Sequence, residues 1–264
     1  MTASTTGAFS LAGGLSQRLR QPRVLLSIAL LALAGGVILA FLYARGELAG
    51  ADARVYWASV RLWLAGADPF TPPVATMPYA YSSWSLYLFL PWALLPWDFA
   101  WFAWRAANVA LFAASVGWAY GRHPLATAAL VAALGVSLAA NLDTGNINIL
   151  LALAIWVGWF AGPRLAGAAW ALGAALKWLP VVLLVFVPRR AWPAGLATLG
   201  LLLLLTLATW PDTLRQLGIV TDYPRPLRID YLVLAWAAVP WLWTRDWSSS
   251  RAWPVLRGWQ RGHQ

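Results

Sequence analysis

The sequence predicts an all-α polytopic membrane protein: a bundle of about eight transmembrane helices with interfacial helices in the first outer loop. Three observations carry that class. Of the 264 residues, 61% are hydrophobic and 11% charged, with a mean hydropathy of +0.64, whereas a soluble domain carries about 25% charge. Arginines punctuate the apolar runs, as they do at cytoplasmic membrane edges. The twenty tryptophans recur near the ends of those runs, where they form interfacial belts or offer stacking platforms for sugar rings. The same composition excludes other classes. Without cysteine there is neither a disulfide framework nor a thiolate metal site, and His123 and His263 are far apart, so no metal is expected. A net charge of +10 in a soluble chain would suggest nucleic acid, but its placement at membrane edges removes that partner.

Residues 1–17 are small and polar and read as a disordered cytoplasmic N-terminus. Arg18, Arg20 and Arg23 precede the first span, 24–43, and set its start inside. The Ala49-Gly50-Ala51 triplet resembles a signal-peptidase site, but the apolar run exceeds a signal h-region and reads as an uncleaved anchor. Residues 44–98 form the first outer loop, with interfacial helices near 52–65 and 83–96. The second of these, read as a full crossing, would place Arg122 and every later basic cluster outside; it is also short and contains Pro91 and Pro96. The remaining spans are 99–120, 124–141, 148–161, 164–177, 178–188, 192–209 and 231–244, followed by a basic cytoplasmic tail, 246–264. Both termini are then cytoplasmic. Arg18, Arg20, Arg23, Arg122, Arg164, Arg189, Arg190, Arg245, Arg251, Arg257 and Arg261 are inside with one acid, Asp246, and the other eight carboxylates are outside. The active face is therefore the outer one.

In the stretch Ala51 to Phe70, helical spacing places Asp52, Tyr56, Ser59 and Trp63 within about 60° of one another, opposite Arg54 and Arg61. Gly66 reads as the helix stop, and Asp68-Pro69 as a turn. Asp52 is either a helix N-cap or a functional carboxylate. In NLDTGNIN, Asn141 to Asn148, the amides and Asp143 either cap the next helix or bind polyol hydroxyls. Lys177, the lone lysine, either snorkels or holds a lipid phosphate. Arg105, inside a span beside Asn108, is a functional candidate whose partner is Asp52 or an anionic lipid.

DARVY followed by GADPF, YAYSSW, GNIN, AGAAWALGAALKWLP and an arginine pair resembles, in order, the polyprenyl-phosphate-dependent glycosyltransferases of family 87. That family belongs to the GT-C membrane superfamily and includes mannosyltransferases of phosphatidylinositol mannoside synthesis. The resemblance covers about residues 24–190. Its usual pattern is Asp-x-x-x-Tyr, Gly-x-x-Pro-aromatic, Tyr-Pro-Pro, Gly-Gln-x-Asn and Lys-Pro-x-Pro. Here Tyr-Pro-Pro is replaced by Tyr81, Ser82 and Ser83, the glutamine by Asn146, and Lys-Pro-x-Pro by Lys177, Trp178, Leu179 and Pro180.

The resemblance implies a GT-C-like domain over 18–245 in the bacterial plasma membrane, serving the cell envelope. It implies transfer of mannose or a similar hexose from a polyprenyl-phosphate donor to a lipid or glycan acceptor, with inversion and without a cofactor. Asp52 takes the place of the general base; Lys177, Arg105 and Arg54 would meet the donor phosphate, with Arg225 and Arg228 as further candidates. Tyr56, Tyr81, Asp143, Asn146 and Asn148 would line the substrate site. Membrane lipids are the standing partners. Two other readings are a non-catalytic subunit packed against another membrane protein that supplies further helices, and a small transporter or lipid scramblase. The transporter needs polar residues through the inner halves of the spans, which are almost wholly apolar.

Overall fold

A computed structural model of the chain describes residues 21–45, 49–73, 77–177, 179–222 and 229–244. The expected N-terminal segment and tail, together with Arg18, Arg20, Glu47, Trp178, Arg225 and Arg228, lie outside the described residues. Among those described, all regular structure is helical.

Helix α1, Pro22–Arg45, opens on a proline whose fixed φ suits the first helical turn. Its 24 residues extend about 36 Å, more than the ~30 Å hydrocarbon core. Only 11% of its most apolar stretch is buried, which is how a helix sheathed by lipid presents itself. Helix α2, Ala51–Leu64, follows. A 3₁₀ turn at Ser83–Ser85 then leads into α3, Leu86–Ala93. These two elements sit where the interfacial helices were expected, and α3, at about 12 Å, is far too short to cross. Helix α4, Trp97–Tyr120, is long enough. Helices α5, Pro124–Ala133, and α6, Gly135–Thr144, form one path bent by 57°.

Helices α7, Asn148–Ala161, and α8, Pro163–Leu176, have 14 residues each. A 3₁₀ segment follows at Leu179–Phe186 and a 3₁₀ turn at Arg189–Ala191, then α9, Trp192–Ala208. Helix α10, Trp210–Asp222, lies between two of the spans expected from the sequence, where no helix is expected. The described chain closes with a 3₁₀ segment, Ile229–Ala238, running into α11, Val239–Thr244.

Three of these helices are long and apolar enough to cross a membrane, and a fourth crossing is available if the bent pair counts as one. The sequence reading expected about eight. The difference lies in α7 and α8, each about 21 Å long, and in the two segments wound as 3₁₀ helix, all of which fall short of a full crossing by length.

Small residues let these short helices approach. A side chain on Gly158 would lie 2.8 Å from the Ala166 backbone, and one on Gly167 would lie 2.6 Å from Gly195 N. Helix α8 is thus wedged between α7 and α9 through backbone contact, the usual solution for helices packing in an apolar medium.

Tight connections alternate the direction of the chain. The turns at 121–123 and Gly162 and the 3₁₀ turn 189–191 gather Arg122, Arg164, Arg189 and Arg190 at one end of the bundle. The start of α2, the α6–α7 turn, the C-terminus of α8 and the start of the 229–238 segment meet at the other.

Candidate active site

Asp52 is the second residue of α2. Gly50, in the left-handed conformation at φ 80°, holds the N-cap position with no side-chain cap bond, so the carboxylate is not spent on capping. Asp52 is 8% exposed and its Oδ2 accepts a hydrogen bond of 2.7 Å from Asn146 Nδ2. The amphipathic face read from the sequence is the packed one: Asp52, Tyr56 and Ser59 are buried, whereas Arg54 and Arg61 are exposed.

Asn146 reaches Asp52 because the GNIN turn lies directly on the first turn of α2. Gly145 ends α6 at φ 69°, and a Cβ there would stand 2.6 Å from Ala53 Cβ and 2.7 Å from Trp101 Cζ3. Its carbonyl accepts from Trp104 Nε1 at 2.9 Å, and Gly50 N donates to Asp143 O at 2.6 Å. Two backbone tethers and one missing side chain therefore place the amide of Asn146 against the carboxylate.

That amide is used on both sides. Its oxygen accepts from Lys177 Nζ at 2.9 Å and from Asn148 N at 3.2 Å. Lys177 ends α8 in an extended conformation, 9% exposed, with its ammonium 4.9 Å from the centre of the Tyr231 ring. Asp52, Asn146, Asn148 and Lys177, four of the residues singled out from the sequence, thus meet in one polar cluster. The Oδ1 atoms of Asn141 and Asn148 and the hydroxyl oxygen of Ser59 are buried and have no hydrogen-bond partner among the described residues, which leaves capacity for incoming hydroxyl donors.

Tyr56 and Tyr81 form an aromatic wall beside the cluster. Their hydroxyl oxygens are 3.2 Å apart, and Tyr56 stacks on Phe89 at 4.6 Å. Burial, reinforced by Tyr81 and by the charge of Asp52, pushes the Tyr56 phenol well above its ordinary range, so it stays a neutral hydroxyl. Asp143 is buried at the end of α6, joined to α2 through its backbone carbonyl.

Arg54 and Arg105 flank the cluster on indoles that pack against Gly50 and Gly145. Each guanidinium carbon lies 5.0 Å from an indole centre, Arg54 over Trp97 and Arg105 over Trp101, and the two indoles are themselves parallel at 6.1 Å. The structure shows no hydrogen bond from either arginine to the Asp52 cluster.

One site residue escaped the sequence reading. Asp230, at the start of the 229–238 segment, is 2% exposed with Oδ2 3.4 Å from Asn146 Nδ2. In the sequence it is one of eight carboxylates expected outside, and an acid opening the last apolar run of an acid-poor chain is the signal it offers. Among the described residues, no three His, Cys, Asp or Glu side chains converge as a metal-ligand group.

Residues 79–224, more than half the chain, match the family model described as glycosyltransferase family 87. No curated protein and no solved structure matches. The matched region holds Tyr81, Arg105, Asp143, Asn146, Asn148 and Lys177; Asp52, Arg54, Tyr56 and Asp230 lie outside it.

Proposed function

Because the chain belongs to glycosyltransferase family 87, we propose that it moves a hexose, mannose or a close relative, from a polyprenyl-phosphate donor to a hydroxyl of a lipid or glycan acceptor at the outer face of a bacterial plasma membrane. The observation that carries this reading is the buried Asp52–Asn146–Lys177 relay: one amide holds a carboxylate on its nitrogen and an ammonium on its oxygen. Transfer from an activated phosphate donor needs one base and one counter-charge to the leaving group.

Asp52 takes the proton of the acceptor hydroxyl. The hydroxyl oxygen bonds to the anomeric carbon as the carbon–oxygen bond to the donor phosphate breaks, and that electron pair leaves on the phosphate. One in-line displacement inverts the anomeric centre. Lys177, joined to Asp52 through the Asn146 amide, meets the charge developing on phosphate, while Arg54 and Arg105, held over indoles, attract anionic lipid to the same end of the bundle. Asn148 accepts a sugar hydroxyl through its unpartnered Oδ1, and Tyr56, Tyr81 and Asp143 pack around the cluster. About eight segments cross the bilayer in this reading, the short ones within the bundle and wetted or flanked at their ends.

The test is Asp52→Asn. Asparagine retains an oxygen to accept from Asn146, and no helix cap is lost, so the thermal midpoint in detergent is expected to remain within about 2 °C of wild type. Transfer from a polyprenyl-phosphate hexose is expected to fall by about 10²-fold or more. Normal turnover by the Asn variant removes Asp52 as base. A wild-type chain that neither binds polyprenyl phosphate nor transfers, yet copurifies with a second membrane protein, makes it a subunit instead.

A further inference from the structure

Asp230 is a buried carboxylate in a segment that the family match does not reach, and a charge at 2% exposure is costly unless its neighbours require it. Its backbone carbonyl is held with unusual redundancy. Asn141 Nδ2 donates to it at 2.7 Å, Ser137 Oγ at 3.1 Å and Asn148 Nδ2 at 3.2 Å, and the same Ser137 hydroxyl accepts from Val233 N at 3.0 Å. Side chains of α6 and α7 therefore pin this one peptide, which fixes where the carboxylate enters the cluster.

It enters at the nitrogen of Asn146. That NH₂ group then lies between two carboxylates, Asp52 at 2.7 Å and Asp230 at 3.4 Å, and the amide cannot flip without turning its oxygen toward both anions and its nitrogen toward the Lys177 ammonium. We propose that Asp230 is a positioning residue of the site: it locks the Asn146 amide so that the nitrogen faces Asp52 and the oxygen faces Lys177. The following residue completes the clamp, since the Tyr231 ring stands against the Lys177 ammonium.

The lone lysine of the chain makes this testable without any turnover. The rate at which acetic anhydride acylates Lys177 in the detergent-purified protein, read by peptide mass spectrometry, reports how firmly its ammonium is held. Asp230→Ala is expected to raise that rate about tenfold, the fold-change for losing a charge-assisted hydrogen bond. Asp230→Asn, which keeps an acceptor for the amide nitrogen but not the charge, is expected to fall between wild type and Asp230→Ala. Both variants retain the pinned carbonyl, so thermal midpoints check that the fold survives. An unchanged acylation rate in a folded Asp230→Ala protein overturns the proposal, as does an Asp230→Asn rate equal to that of Asp230→Ala.

The catalytic arm rests on the glycosyl-transfer reading. Asp230→Ala is expected to lower kcat about tenfold with the KM for donor unchanged, and Asp230→Asn to restore part of it. Acylation that responds as expected while transfer does not points to failure of the transfer reading rather than of the amide lock.

Discussion

At Gly145 two demands coincide on one residue: a left-handed φ of 69°, and backbone contact so close that a Cβ would overlap Ala53 and Trp101. Gly66, which ends α2, shares the first demand at φ 71° but has open space around it. The pair separates conformational from packing cost. Gly66→Ala should destabilise by about 1 kcal/mol, the penalty of the left-handed region. Gly145→Ala should add overpacking of about 1–3 kcal/mol and push Asn146 away from Asp52, so transfer should fall in the protein that still folds. Equal shifts in thermal midpoint for the two variants would falsify the packing argument.

Among elements, the stretches 68–73 and 77–85 are tied to α9, α10 and the Thr209 between them by four polar links. Gln216 Nε2 donates to Ala80 O at 3.0 Å, Ser83 Oγ to Thr209 Oγ1 at 2.9 Å, Trp84 Nε1 to Thr206 Oγ1 at 3.0 Å, and Arg215 pairs with Asp68. Asp68 also shapes the turn that the sequence suggested, its Oδ1 accepting from Phe70 N at 3.0 Å. Partial burial pulls its carboxyl upward, but the Thr71 hydroxyl, the Phe70 N–H and the Arg215 guanidinium outweigh it and hold it below the ordinary range. A carboxyl lowered in the folded state contributes stability that is complete above its unfolded value, near pH 4, and lost as the pH falls through the lowered folded value. Asp68→Asn should therefore melt earlier than wild type at neutral pH, and the two curves should converge as the pH is lowered below about 4. Midpoints measured across pH 3 to 7 check this, and a gap that widens toward acid contradicts it.

At the scale of the whole molecule, the chain's alternation separates Arg122, Arg164, Arg189 and Arg190 from the Asp52–Lys177 end, and the positive-inside rule predicts a cytoplasmic arginine end. The protein contains no cysteine, so single replacements report cleanly. Thr71→Cys and Thr221→Cys, both at exposed positions, should react with an impermeant thiol reagent in intact cells. His123→Cys, also exposed, should react only after permeabilisation. The reverse pattern would put the candidate site on the cytoplasmic side and the donor in the inner leaflet.

Much of this architecture is local and hence legible in the chain itself. Apolar run lengths locate α1, α4 and α9; helical periodicity selects the buried face of α2; Gly66 marks the end of α2; and the order of short motifs points to the family that residues 79–224 match. The winding of 179–186 and 229–238 as 3₁₀ helix depends on what packs beside them, because an apolar run has the same composition whether it crosses, bends or stops short. The site divides in the same way. Asp52, Asn146, Asn148 and Lys177 were candidates by residue type, but the single amide that joins the carboxylate to the ammonium, the placing of Arg54 and Arg105 over separate indoles, and the arrival of Asp230 more than eighty positions from Asn146 were decided only by the tertiary structure. Hydrogen bonds act over about 3 Å of space irrespective of separation along the chain, and only the folded bundle brings those segments within that reach.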